Sequence, residues 1–540
     1  MEVMEEPSTQ AAKSGDLPKT ASLLRHGSVL SLLALVSRVL GLVREMVKAS
    51  LLGTTALADA FAVAFMLPNL FRRLFAEGSI AVAFIPTFKE YLLAGDKAKN
   101  REFLSCIFTF LTFAVTLAVM AGIAAAPLAV RIFNLAEVDE AVLLTRIMFP
   151  FLAFISIAAL FQGILNSVNV FAPSGLAPIL LNIVTIVCAL VLSPHTQNPA
   201  RALAYGVLIG GFMGTVMQLP FIIKNGQMFS FTSLKRAFAN PGTRKVLALI
   251  GPTIIGMAVY QLNDLVSTFL AVDSGEGVAS SLQYSLRLQE LILGVFAVSI
   301  GTVLLPNLAG HAKSQQWDSF NQRLISAMDI IALVTIPITF FALAQGETII
   351  RLIYQNSAFD ENSVSLTLAA FTFHMPGIFF IALNRILAPA FYAQSNSKSP
   401  TLAGIFSFCA NIILAAVLVH YMHGAGIALA LSLAGIINTA LLLAFLRKNP
   451  NIAVSRALAS ALFYTLKLIA LSAIAVVPVV FLSPVLLQAF SGSNRIIAFG
   501  LPLAVNGTVF ALVGIALLLA TKDRQFANLV NAVKRRRGGK

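Results

Sequence analysis

The chain has 540 residues, of which 58% are hydrophobic and only 11% charged, with a formal net charge of +15. Soluble domains carry about 25% charged residues, so these values exclude a soluble globular protein and point to a polytopic all-α membrane protein. Period-two alternation is absent, which excludes a membrane β-barrel, and the loops are too short for a separate catalytic domain.

Residues 1–25 hold Glu2, Glu5, Glu6 and Asp16, unlike the basic start of a secretory signal, and read as a retained cytoplasmic tail. Apolar runs long enough to span a membrane follow, about fourteen in number. They cover 26–50, 57–92, 103–133, 140–170, 173–194, 201–223, 246–272, 279–311, 325–345, 362–393, 400–420, 423–446, 459–487 and 496–520.

The first run contains SRVLGLVREMVK (37–48). Charge at the centre of a membrane helix is disfavoured by about 2.5–3.5 kcal/mol, so it must face a cavity or a partner. At 100° per residue, Arg38, Arg44, Glu45 and Lys48 fall within one arc of roughly 120°. That stripe implies a cationic cavity inside the protein. The second run, ADAFAVAFMLPNLFRRLFAEGS (58–79), adds Asp59, Asn69, Arg72, Arg73 and Glu77, with Pro68 removing one backbone donor. Asp59, Arg73 and Glu77 share about 40° of arc, and an Arg73–Glu77 pair is the plainer reading for Arg73.

FAEGSIAVAFIPTF (75–88) is echoed by FAVSIGTVLLPNLA (296–309), and ILNSVNVFAPSGLAP (164–178) by ILAPAFYAQSNSKSP (386–400). The offsets, Pro86 to Pro306 and Pro178 to Pro400, agree within two residues. Together they suggest a duplicated six-helix unit whose copies are related by a pseudo-twofold along the membrane normal. The expected organisation is a tail (1–25), a first lobe (26–223), a basic linker (224–245), a second lobe (246–447), a final helix pair (448–520) and a basic tail (521–540). In the second lobe, Arg287 sits in SLQYSLRLQELILG (281–294), with Glu290 one turn on as a candidate partner.

The cations are distributed unevenly: twenty-five Lys/Arg fall on the tails and one set of loops, against Arg131, Arg201, Arg351 and Arg495 on the other. This is the positive-inside pattern, and it places both termini in the cytoplasm. The terminal KRRRGGK suits anionic headgroups better than nucleic acid. Cys106, Cys188 and Cys409 lie in apolar runs and read as core residues. His374 reads as a hydrogen-bonded core residue, Trp317 as an interface anchor, and Lys467 as a snorkelling or groove-facing cation. His420 and His423 lack the further ligands a metal site needs. No phosphate-binding loop or nucleophile elbow is present, so no enzyme activity and no cofactor are expected.

Arginine forks match phosphate oxygens and stay charged at physiological pH, so converging guanidiniums suit a phosphate or diphosphate. Internal ion pairs are the alternative; unpaired charge in Arg38, Arg44 and Arg72 favours ligand contact.

SRVLGLVRE (37–45), ADAFAVAFMLPNLFRRLFAEGS (58–79), GTVLLPNL (301–308) and ILAPAFYA (386–393) resemble the MurJ (MviN) family, over about residues 22–520. The resemblance implies a flippase for the lipid-linked peptidoglycan precursor, lipid II, in the bacterial inner membrane. It also implies fourteen helices, with a final pair forming a groove for the lipid tail. By motif position Arg38, Arg44, Arg72 and Arg287 would hold the diphosphate. Glu45, Asp59, Asn69 and Glu77 would modulate or gate, Asp59 from the outer end of its helix. Lipid II, membrane lipids and cell-wall synthesis proteins are the implied partners. Some positions depart from the pattern: Leu286 precedes Arg287 where some members have an acid, and Asn396 replaces a common aspartate. Asn411 matches a sodium ligand of some members, but Ala415 stands at the carboxylate position, which counts against a sodium site. Coupling to the membrane potential is the expected alternative. The rivals are an exporter of another lipid-linked oligosaccharide, a multidrug exporter of the same superfamily, and a polytopic glycosyltransferase.

Overall fold

The computed structural model describes residues 17–73, 79–528, 530 and 531, and side chains within these except at 17–31, 79–82, 251–260, 295–307, 456 and 457. Every regular element among the described residues is helical, as an apolar chain that must satisfy its backbone inside lipid requires.

The first half holds α1 (Leu17–Leu52), α2 (Ala56–Arg72), α3 (Ser79–Leu93), α4 (Lys97–Arg131), α5 (Val138–Met148), α6 (Phe151–Ser167), α7 (Ala172–Leu192), α8 (Pro199–Val216) and α9 (Leu219–Lys224). A short α10 (Leu234–Ala239) lies in the basic linker. The second half holds α11 (Pro241–Asp273), α12 (Val278–Lys313), α13 (Trp317–Tyr354), α14 (Glu361–His374), α15 (Gly377–Tyr392) and α16 (Lys398–Leu446); α17 (Val454–Ala489) and α18 (Leu501–Ala520) follow. Among the described residues, eight helices are long and apolar enough to cross a membrane, or up to nine with the bent pair α14–α15 taken as one.

The expected runs and the helices part company at breaks that have physical causes. Within run 57–92 the described residues form α2 and α3, on either side of 74–78. Run 140–170 is one span, Val138–Ser167, interrupted where α6 starts after Pro150, which has no N–H to continue the helix before it. Run 362–393 breaks at Pro376, with a bend of 46°. Pro376 lies 226 residues after Pro150, close to the repeat offsets read from the sequence. Runs 400–420 and 423–446 correspond to two helices within α16 that meet at His423, whose φ of 49° and ψ of −130° are not helical.

Polar side chains set many helix starts. Asp96 accepts from the N–H groups of Ala98 and Lys99 at 3.0 and 3.1 Å, capping α4 in a loop outside the membrane. Those backbone donors, Lys99 first, hold the Asp96 carboxyl below the usual carboxylate range. Asn240 accepts from Thr243 at 3.2 Å at the start of α11, where Pro241 occupies the first helical position.

Packing is close within each half: α7 lies against α8 and α1, and α16 against α14 and α15. α13 packs on α17, and α17 on α18. α18 is almost unburied in the monomer, and large apolar side chains such as Phe463 and Phe481 point outward, as lipid-facing residues do. The halves meet along α1–α12, α2–α12 and α3–α11.

Candidate functional site

Glu45 collects the charged stripe of α1 at one point. The residue as a whole is 7% exposed. On Oε1 it receives Arg44 Nη2 at 2.9 Å, with Arg287 Nη2 at 3.7 Å; on Oε2 it receives Lys48 Nζ at 2.6 Å. Arg44 and Lys48 share its helix, whereas Arg287 arrives from α12 in the other half and pairs Glu290 at 2.9 Å. Three cations therefore face two acids.

A buried carboxylate needs such compensation, and here it is shared across the interface of the halves. Lys48 is shut in, with its ammonium 4.6 Å from the Tyr284 ring centre. The Tyr284 hydroxyl donates to the Gly53 carbonyl at 3.1 Å. Arg287 stays open: its side chain is 39% accessible, against 9% for Glu45. A guanidinium has five N–H donors, so Arg44 and Arg287 both retain donors for an anion arriving from the accessible side.

Arg38, two turns before Glu45, donates from Nη1 to the Gly294 carbonyl, a second tie between α1 and α12. Arg72 ends α2, where its Nε donates to Asn69 Oδ1 at 2.8 Å. The structure thus brings Arg44, Glu45 and Arg287 into one cluster, fastens Arg38 to the same helix pair, and pairs Arg72 with Asn69. Glu77 lies outside the described residues. Arg73 reaches across the halves to Asp264 at 2.6 Å and Gln261 at 3.3 Å on α11. His374 is a buried core residue, with Nδ1 2.7 Å from the Ser285 hydroxyl.

Asp59 serves as a helix cap between the halves. It is 3% exposed and accepts from the N–H groups of Gly277 at 2.7 Å and Ser280 at 2.8 Å, at the start of α12. Glu276 answers by accepting from Ala56 N–H at 2.9 Å at the start of α2. Around them, Thr54 Oγ1 donates to Ser363 Oγ at 2.9 Å and Asn134 Nδ2 to Asp273 Oδ1 at 2.9 Å. Gly53 and Gly277 have φ of +57° and +79°, and a Cβ on either would sit 2.0–2.3 Å from a backbone oxygen of the facing segment. These contacts close the face away from the basic linker. On the linker face, Lys245 Nζ reaches both oxygens of Glu90 at 2.7 Å.

Sequence reasoning named Arg44, Glu45, Arg287 and Asp59, but placed Lys48 only in the stripe and missed Asp264, Glu276 and Tyr284. Asp264 carried a usable signal, an acid in an apolar run. Lys467 was left undecided, and it pairs with buried Asp523 at 2.6 Å.

The family model for the lipid II flippase MurJ matches residues 48–500. A probable lipid II flippase MurJ from Treponema pallidum (strain Nichols) is 46% identical over 509 residues, covering 93% of this chain and 97% of that protein. The lipid II flippase MurJ of Burkholderia cenocepacia is 32% identical over 438 residues, covering 79% and 84%. Among solved structures, a lipid II flippase MurJ in an inward closed conformation aligns with TM-score 0.74 and 26% identity, over 92% of this chain and 99% of that one. An inward-facing multidrug resistance MATE transporter aligns at TM-score 0.63 and 12% identity, over 79% and 95%, which shows a shared fold.

Proposed function

Since this chain belongs to the lipid II flippase MurJ family, we propose that it carries lipid II across the bacterial cytoplasmic membrane by alternating access, with Arg44 and Arg287 as the core of the diphosphate site. It is a multi-pass transporter, and its described elements are helices built for lipid. The observation that supports the site is the Glu45 cluster: one buried carboxylate holding cations from both halves at the interface that an alternating-access cycle must open and close.

The diphosphate would enter from the linker face and draw Arg44 and Arg287 off Glu45 onto its oxygens, while Lys48 stays as the counter-ion. Arg38 and Arg72 would extend the cationic lining. Closure of the linker face and release of the Asp59 and Glu276 caps would then expose the headgroup on the far side. The polyprenyl tail would remain in lipid or against α17 and α18. The excess of Lys/Arg on the linker face supports placing both termini in the cytoplasm. With that orientation, about two negative charges leaving a cell at −100 mV gain roughly 4.6 kcal/mol, so the membrane potential suffices as a driving force. Ala415 offers no carboxylate near Asn411, which supports this source over a sodium gradient. Enzymes of cell-wall synthesis, which make and use lipid II, are the natural partners, and no bond is made or broken in the cycle.

The test is outer-leaflet exposure of lipid II in bacteria depleted of their own flippase and supplied with this chain. Restored exposure, lost in Arg44→Ala at equal membrane level, is the expected result. Failure to restore exposure by a correctly inserted protein would refute lipid II as cargo. Restoration unaffected by Arg44→Ala and Arg287→Ala would refute the site.

A further inference from the structure

Four arginines occupy the cation-poor loops of the far face, and two of them, Arg351 and Arg495, meet at one cavity. It measures about 450 Å³ and lies between the end of α13 and the α17–α18 turn, with Glu347, Ser491, Ser493 and Phe499 also in its wall. Pockets for small ligands run from about 300 to 1,000 Å³.

The charges in the wall differ in how far they are committed. Arg351 is saturated: Glu361 holds it at 2.6 Å and Glu347 Oε1 at 2.8 Å. Arg495 makes one contact, a donation to the Gln355 carbonyl, and has no carboxylate partner among the described residues. Glu347 is bound through Oε1 alone; Oε2 has no partner among the described residues, and the side chain is 56% accessible. One uncommitted guanidinium and one uncommitted carboxylate oxygen thus share a cavity with two serines. Apolar side chains next to lining residues in sequence face outward: Val485, two residues before Leu487, is 61% exposed, and Ile496, beside Arg495, is 70% exposed. The cavity therefore lies where apolar helix surface gives way to polar loops, at headgroup depth.

We propose that this cavity binds the headgroup of a zwitterionic phospholipid bearing a primary ammonium, its phosphate on Arg495 and its ammonium on Glu347. A guanidinium matches phosphate oxygens in geometry and charge. The carboxylate beside it repels a headgroup that is only anionic and accepts N–H donors that a quaternary ammonium lacks. Phosphatidylethanolamine offers both a phosphate and an ammonium with N–H donors, whereas phosphatidylglycerol and phosphatidylcholine each offer the phosphate without such donors. A lipid held there bridges α13 to the last helix pair. The inference needs the chain to span a membrane and is independent of its cargo.

The test is thermal unfolding of the purified full chain in detergent, titrated separately with the three phospholipids and with water-soluble phosphoethanolamine. Phosphatidylethanolamine is expected to raise Tm, saturating at about tenfold lower concentration than the other two. That preference should vanish in Arg495→Gln and in Glu347→Gln, each measured against its own lipid-free Tm, and persist in the control Arg131→Gln. Equal or stronger stabilisation by phosphatidylglycerol would overturn the proposal. So would an ethanolamine preference that survives both substitutions, and so would phosphoethanolamine reproducing the whole effect, which would make the ligand a soluble metabolite.

Discussion

Asp59 and Glu276 cap each other's helices: Asp59 takes the Gly277 and Ser280 N–H groups of the α12 start, and Glu276 takes the Ala56 N–H of the α2 start. Each half thus supplies the anion for the other's helix N-terminus, where the macrodipole favours it. Separation of the halves at this face leaves both caps empty, so the pair acts as a latch with a defined strength.

Asp59→Asn keeps the shape but leaves one acceptor oxygen and no charge. Loss of a helix cap costs about 1 kcal/mol, which corresponds to roughly a fivefold larger population of the open far face. A cysteine at Thr54, labelled by a membrane-impermeant maleimide, should report that rise in rate. Unchanged labelling would mean that Asp59 does not latch the face.

Thr54 Oγ1 and Ser363 Oγ are 2.9 Å apart across the two halves. Cysteines at both positions should therefore cross-link under mild oxidation and lock this face shut. Lipid II exposure should stop and should return on reduction. Efficient cross-linking with undiminished transport would show that the face need not open.

Gly277→Ala would place a Cβ 2.3 Å from the Thr54 carbonyl oxygen, in a left-handed backbone conformation that costs non-glycine residues about 1–2 kcal/mol. The backbone on both sides must shift for this face to close. Transport should fall while membrane insertion is kept, and the Thr54 cysteine should label faster even with Asp59 intact. Slow, wild-type labelling would contradict the tight packing seen here.

Much of the site was legible because a membrane makes charge conspicuous. Arg38, Arg44, Glu45 and Lys48 stand out in an apolar run, and helical periodicity alone puts them on one face. Partners across the halves were not legible. Arg73 shares a face by spacing with Glu77, which lies outside the described residues; among those described it pairs with Asp264, nearly two hundred residues on. Spacing along one helix says nothing about which helix packs against it. The breaks at Pro150 and Pro376 were hidden for a related reason. Hydropathy averages over a break, so a span built from two short helices reads as one uninterrupted run.

Lys48 offers the sharpest test of how the cluster works. It holds Glu45 Oε2 at 2.6 Å, leaving Oε1 to Arg44 and Arg287, and its burial beneath Tyr284 keeps it from the accessible side. If Lys48 is the counter-ion that remains when the arginines turn to cargo, Lys48→Met should lower lipid II exposure about tenfold. Cargo binding would then strand an uncompensated buried carboxylate. The same change made in Glu45→Gln should cost little more, because the neutral amide needs no counter-ion. Non-additivity of this kind is the signature of two residues acting through each other. Losses that multiply would instead place Lys48 in direct contact with the diphosphate and would remove Glu45 as its reason for being buried.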